Sequence, residues 1–459
     1  MKNKKVLVIG LDCAAPDLVF NRWKDSLPNI GKMIDEGTYG KLESTVPPIT
    51  VPAWSSMMSG KDPGQLGVYG FRNRKDHTYD GLSFATSTSI KVDRVWDILS
   101  RSGKSSIVVG VPQTYPPKPL NGNMVSCFLT PSTDVQYTYP RELKEEIEEN
   151  TGDYIIDVHD FRSENLDGTL GNIYKMTKNH FNLIRYLMSE KKWDFCMLVE
   201  MGVDRIHHGF WHHFDENHVL YKPDSPYADA IRKYYIYVDE EIGETLSLVD
   251  DNTTVIVVSD HGAKKMDGGI CINEWLIKEG YLKLLEYPES LTPFSKLKVD
   301  WKNTKVWGEG GYYGRIFLNV KDREPMGSIK PRKYEKVRDE LIKKLTALTD
   351  ESGKNIGTKV FKPEQIYAEC NGVPPDLIVH FGNLDWRSIG SVGTGSIYTY
   401  ENDTGPDGAN HAQHGIFIMK SPDGNSGEVE GLHITDVAPT VLDILDESIP
   451  LNIRGKVIK

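Results

Sequence analysis

The sequence has little cysteine: its five thiols, Cys13, Cys127, Cys196, Cys271 and Cys370, are odd in number, far apart and contain no C-x-x-C pair. That spacing argues against a disulfide framework and a thiolate zinc site, and makes the reducing cytoplasm the expected compartment. Long apolar runs are missing as well, none approaching the roughly 18 residues that span a bilayer. The N-terminal run Val6–Leu11 stops after six residues at Asp12. It therefore reads as a first β-strand rather than as the apolar part of a signal peptide or a lipoprotein leader ending at Cys13. Nor is there surplus positive charge. Lys+Arg total 54 against 65 Asp+Glu, a net charge of −11, which argues against a general attraction to nucleic-acid backbone or anionic membrane. No internal repeat of fixed period is visible.

What is present is the composition of a folded enzyme-sized chain: 39% hydrophobic and 26% charged residues, with 14 Phe, 22 Tyr and 9 Trp, too apolar for wholesale disorder. Short continuous apolar runs recur at Val6–Leu11, Ile107–Val111, Cys196–Val199, Val255–Val258 and Leu377–Val379. Strands of that kind need cover on both faces. Segments of helical period such as Ile173–Leu187 and Val238–Leu248 lie between them, so the expected fold is α/β, a mostly parallel central sheet with helices on both faces. Ligands then belong at the carboxyl ends of the strands. After about Gly280 the period becomes irregular, followed by a strand-like Arg315–Val320 and an amphipathic helix near Tyr334–Leu348. Residues 1–280 with 401–459 are accordingly expected to form the core, and 281–400 an insertion or cap. The Gly-rich stretch Gly390–Gly395 opens no visible helix and reads as a mobile loop rather than a phosphate cradle.

Three of the apolar runs end in side chains with metal-binding or acid–base chemistry. Asp12 follows the first; Ser259, Asp260 and His261 follow Val255–Val258; and Cys196–Val199 leads into Asp204 and His208, spaced i, i+4 so as to share a helical face. An aspartate at a strand end is commonly a helix cap and a lone histidine commonly structural. Together, however, the three ends offer oxygen and imidazole donors suited to zinc, with manganese or iron as alternatives. His207, His208, His212, His213 and His218 crowd one segment, so a surface histidine cluster competes with a single buried ligand there. Of the late histidines, His414 stands directly before a glycine and an apolar run, which favours it over His411. In Pro47–Gly60, Thr50 has the look of an N-cap, Pro52 sits in the first turn and Gly60 is a natural stop. Thr50 is thus either a plain capping residue or a nucleophile whose attacked anion rests on free helix N–H groups.

In chain order, Asp12, Thr50, Asp204-x3-His208, Asp260-His261 and His414 resemble the alkaline phosphatase superfamily, and within it the type I phosphodiesterase/nucleotide pyrophosphatase family. Gly10-Leu11-Asp12, Thr50-Val51-Pro52-Ala53-Trp54, Ser59-Gly60-Lys61-Asp62-Pro63 and Asp436-Val437-Ala438-Pro439-Thr440 extend the resemblance over most of the chain. It implies two divalent metal ions, zinc foremost. One would be held by Asp12, Asp260 and His261 beside Thr50, the other by Asp204, His208 and His414, with Thr50 forming a phosphothreonine that water releases. It also implies a small-molecule phosphoester substrate, a phosphomonoesterase or phosphomutase being the alternative, and a metal-containing binding protein without turnover the reading from another class.

The chain departs from its relatives in places. By ungapped count the asparagine that binds a phosphoryl oxygen in nucleotide-cleaving members falls on Phe71, with Arg72 and Asn73 as neighbouring substitutes. Leu66 stands where many relatives carry histidine, and Cys13 replaces a small residue. A sulfatase is disfavoured, because Thr50-Val51-Pro52-Ala53-Trp54 has neither the convertible residue nor the arginine of that motif. Arg315, in Tyr312-Tyr313-Gly314-Arg315, reads as a strand-end surface arginine, the alternative being that it faces the phosphate. Oligomeric state has no signal in the sequence.

Overall fold

A computed structural model of the chain describes residues 4–159, 161–422 and 424–459. Its centre is a ten-stranded mixed sheet. In spatial order the strands are Gly427–Glu428, Thr38–Glu43, His414–Lys420, Thr253–Val258, Lys5–Leu11, Phe195–Glu200, Ser106–Val109, Gly122–Val125 and Thr138–Tyr139, with Leu432–His433 also paired to Thr38–Glu43. The five strands from Thr253–Val258 to Gly122–Val125 run parallel. Four of them are the short apolar runs of the sequence, now buried along almost their whole length. Helices Pro28–Glu36, Leu166–Glu190, Gly202–Phe214 and Ala230–Leu246 pack together on one face, and Thr50–Ser59, Val95–Arg101 and Val437–Ile444 on the other. This is the α/β sandwich expected from the alternation of strand and helix.

The fifth run lies elsewhere. Leu377–His380 belongs to a separate antiparallel sheet in the order Val306–Glu309, Gly314–Leu318, Leu377–His380, Lys359–Phe361. Its side chains join a second apolar cluster running from Ile270 to Trp386. An apolar run shows only that both faces of a strand are covered, which a helix and a neighbouring loop layer achieve as well as a parallel sheet does. The Gly390–Gly395 stretch is tied down rather than free: the amides of Gly393, Thr394 and Gly395 all donate to one carboxylate oxygen of Glu274, at 2.8, 3.1 and 3.2 Å.

The sheet register places the chemistry. Gly10 pairs with Val199 on one side and Val258 on the other, so three parallel strands end level with one another. Asp12, the Glu200–Asp204 turn and Asp260–His261 therefore emerge at a single edge. A Cβ on Gly10 would meet the Trp54 ring at 2.4 Å, so glycine here lets Trp54 cross the strand on its way to Asp12.

Candidate metal centre and substrate cavity

Thr50 opens the helix Thr50–Ser59. The cap is Ile49, extended at φ −129° and ψ 129°, and makes no side-chain cap bond. Thr50 is therefore not the capping residue expected from its position before Pro52. Its hydroxyl is free for another partner, and Oγ1 lies 3.3 Å from His261 Nε2. At the other end of the helix Gly60 adopts φ +66°, the left-handed stop its place predicted. One turn after Thr50, the indole N–H of Trp54 donates to Asp12 Oδ2 at 2.7 Å.

Around Thr50 the structure gathers Asp12, Asp204, His208, Asp260 and His261, all buried. His261 Nε2 is 3.2 Å from Asp260 Oδ2 and 3.7 Å from Asp12 Oδ1. Asp204 Oδ1 is 3.1 Å from His208 Nε2 and 3.8 Å from His411 Nε2. The seventh member is thus His411 rather than His414. His411 sits on the short strand Ala409–Ala412 and pairs in register with Ala263, two residues from His261, so the rings of the two histidines stack at 3.8 Å. His414 begins the next strand, is exposed, and lines a different cavity with Lys41, Lys264 and Lys359. The apolar run after His414 marks the central sheet, but the short strand just before that run, paired with Gly262–Lys265, carries the buried ring. The crowded histidines sort themselves too. His207 is buried against the Tyr235 hydroxyl, His213 bonds Ser225, and His218 bonds the Gly408 carbonyl, so they are not a surface cluster.

Three donor groups each bring their ligand atoms within 4.8 Å of one another: Asp204, His208 and His411; Asp12, Asp204 and His261; Cys13, His261 and His411. All three histidines have Nδ1 occupied by an acceptor, which leaves Nε2 for the centre. Nδ1 faces the Gly262 carbonyl in His261 (3.1 Å), the Pro48 carbonyl in His411 (2.9 Å) and Asp407 Oδ1 in His208 (2.7 Å). This is the orientation metal-binding imidazoles adopt. Asp12 Oδ1, Asp260 Oδ2 and His411 Nε2 are buried with no hydrogen-bond partner. Leaving such atoms unsatisfied is costly, and a divalent cation satisfies them together, so the residues present fit a metal centre.

The electrostatics agree. Burial, reinforced by Asp204, pushes the Asp12 carboxyl well up, and burial with Asp12 does the same to Asp260. Burial also raises Asp204, but His208, Arg205 and His411 outweigh it and hold that carboxylate well below its ordinary range. Burial lowers His261 to about 4 and His411 further still, His261 adding to the effect on His411. In His208 burial is overcome by Asp407 and Asp204, which raise it to about 9. Excess carboxylate charge packed this tightly calls for cations.

A cavity of about 480 Å³ opens beside Thr50, Asp204 and His411. One wall is apolar, with Phe71, Phe84, Phe128 and Leu129, and Phe71 and Phe128 meet edge to face at 6.1 Å. The lining also carries Arg72, Arg162, Arg205, Arg315 and Arg387, with Arg72 over the Phe84 ring at 4.6 Å and Arg205 over the Phe128 ring at 5.6 Å. Asn73 does not reach the cavity: its amide bonds the Tyr69 N–H and the Gly70 carbonyl and shapes the turn. Arg315 is buried at 8% exposure rather than at the surface. Sequence reasoning missed Asp407, which orients His208 and is itself held by Arg162 and Arg387, each at 2.9 Å. It lies in a loop without periodicity. Trp54 was legible, being i+4 from Thr50.

The family model described as type I phosphodiesterase/nucleotide pyrophosphatase matches residues 6–415. The chain belongs to that family. Its fold is similar to human ectonucleotide pyrophosphatase/phosphodiesterase 5, with a TM-score of 0.57 at 14% identity over 99% of this chain and 97% of that one. It is also similar to an inactive form of the murine protein in complex with AMP, with a TM-score of 0.56 at 14% identity over 98% and 97%. No curated protein matches in sequence. Among the described residues, no helix is long and apolar enough to cross a membrane.

Proposed function

We propose that this family member is a two-metal phosphodiesterase with Thr50 as its nucleophile. The observation that carries the reading is the Thr50 hydroxyl, released from capping and set 3.3 Å from His261 at the edge of a buried Asp/His cluster with unpartnered ligand atoms. Asp12, Asp260 and His261 would hold one ion next to Thr50; Asp204, His208 and His411 would hold the other. Bound zinc, or manganese or iron in its place, supplies Lewis acidity and neutralises charge on the reacting oxygens.

The chain's own residues do the rest. In the first turn of the Thr50–Ser59 helix Pro52 has no N–H and Ala53 donates to the Ile49 carbonyl at 2.9 Å, which leaves the amides of Thr50 and Val51 to meet an anion at the helix mouth. Thr50 Oγ1 attacks phosphorus and the P–O bond to the departing alcohol breaks, the alcohol taking up the proton that the hydroxyl gives up; water then cleaves the threonine–phosphorus ester, which still carries the second organic group, releasing the phosphomonoester and restoring the hydroxyl. Asp407 and the backbone carbonyls of Pro48 and Gly262 keep the three imidazoles in one tautomer throughout. Phe71 and Phe128 shield the cavity from water and give the organic part of the substrate an apolar surface. AMP in the murine relative makes nucleotides the first ligands to try.

The test is turnover of bis-(p-nitrophenyl) phosphate against p-nitrophenyl phosphate by zinc-loaded protein, with Thr50→Ala alongside. Diester hydrolysis reduced roughly a thousandfold or more in the variant, with zinc retained, is expected. Equal activity in Thr50→Ala would contradict the assignment, and a preference for the monoester would move it to a phosphatase or mutase.

A further inference from the structure

Five arginines line the substrate cavity, and three are already neutralised. Arg205 makes bonds of 2.9 and 2.7 Å to Asp157 and one of 2.5 Å to Asp204. Arg162 and Arg387 both hold Asp407. Arg315 is different. It is 8% exposed, its Nε is buried without a partner, and one of its Nη groups donates to the Arg72 carbonyl. No carboxylate of a described residue lies within 4 Å of it. Arg72 has no such carboxylate either, and its guanidinium sits over the Phe84 ring at 4.6 Å, on the cavity rim. Glu309, on the strand paired with Gly314–Leu318, lines the same cavity and pairs in register with Arg315; burial raises its carboxyl, Arg315 and Arg72 pull it back down, and it comes within 4 Å of neither guanidinium.

A buried guanidinium with a carboxylate nearby but none in contact keeps its N–H groups unsatisfied, which is unfavourable until an anion reaches them. Its planar fork matches a carboxylate or a phosphoryl group. Resting on the phosphoester reading of this cavity, we infer that Arg315, supported by Arg72, forms a second anion subsite. The substrate is then a phosphoester whose organic part carries a further carboxylate or phosphoryl group, lying along the Phe71–Phe128 wall with that group turned to Arg315. The unexpected burial of Arg315 and the apolar surface of Phe71 in the same cavity become two halves of one specificity.

The probes are three compounds that cannot be hydrolysed: ethylphosphonate, 3-phosphonopropionate and propane-1,3-diphosphonate, titrated calorimetrically into zinc-loaded full-length protein. At least one anion-terminated probe is expected to bind about tenfold or more tightly than ethylphosphonate, as charged hydrogen bonds allow. Which of the two does so identifies the group as carboxylate or phosphoryl. Arg315→Gln should bring the ratio close to one, Arg315→Lys should keep part of it, and Arg72→Gln, at an exposed site that does not threaten folding, should reduce it. Equal binding of all three probes by the unaltered protein, or an unchanged ratio in folded, zinc-replete Arg315→Gln and Arg72→Gln, would overturn the inference. Because binding is read without turnover, a protein that discriminates among the probes but hydrolyses no ester would refute the hydrolase reading and leave the subsite standing.

Discussion

At the scale of single residues, the centre depends on which nitrogen each histidine presents. Burial lowers His261 and His411, so both are neutral at pH 7 and offer Nε2 without losing a proton; His208, raised to about 9 by Asp407 and Asp204, is protonated until a cation displaces the proton. Zinc uptake at pH 7.5 should therefore release protons, one from His208 and more to the extent that burial keeps Asp12 and Asp260 protonated, and affinity should rise with pH toward 9. Calorimetry in buffers of differing ionisation enthalpy measures this; uptake without proton release would contradict the assigned protonation. The two late histidines give a second prediction. His411→Ala should weaken zinc binding at one site by about tenfold or more, whereas His414→Ala, exposed and outside the cluster, should leave zinc stoichiometry unchanged in a chelator competition. The reverse pattern would restore His414 as the ligand.

At the scale of elements, the helix Thr50–Ser59 is the positioning device, pinned by Trp54 on Asp12 at one end and by the Gly60 turn at the other. Gly60 is left-handed, and a Cβ there would meet the Ile453 side chain at 2.6 Å. Gly60→Ala should cost about 1–3 kcal/mol of stability, read from the midpoint of a denaturant transition; an unchanged midpoint would show that the helix is held elsewhere. Most of this arrangement was legible in the sequence. Asp12, Asp204, Asp260 and His261 stand out because each ends an apolar strand or follows within a helical turn, whereas His208 is singled out from its neighbouring histidines only by the family resemblance. His411 does not stand out, because the short strand Ala409–Ala412 owes its existence to pairing with Gly262–Lys265, a tertiary contact without local signature. For the same reason Leu377–His380 reads as a strand but not as part of a second sheet, and Asp407 and the buried Arg315 act through partners far away in sequence.

At the scale of the whole molecule, two apolar cores divide the work. The ten-stranded sheet brings three strand ends level and buries the carboxylates and imidazoles; the second core, from Ile270 to Trp386, sets Tyr312, Arg315 and Arg387 over the opening. Tyr312 shows the join, since its ring stacks on His411 at 3.9 Å while Arg387 lies 4.7 Å from its centroid. On the proposed function the first core holds the metal ligands and the second contributes Arg315 and Arg387 to the cavity, which is why the ordered ligand set has a signal in the sequence while the leaving group has none. The central claim, that Thr50 becomes covalently phosphorylated during turnover, is tested most directly by quenching zinc-loaded protein in acid during steady-state hydrolysis of bis-(p-nitrophenyl) phosphate and sequencing its peptides by mass spectrometry. The account predicts a p-nitrophenyl phosphoryl adduct on Thr50, one p-nitrophenol having left, and no such adduct in Thr50→Ala. Sustained turnover with unmodified Thr50 and no other adduct would mean that water attacks directly, and would contradict it.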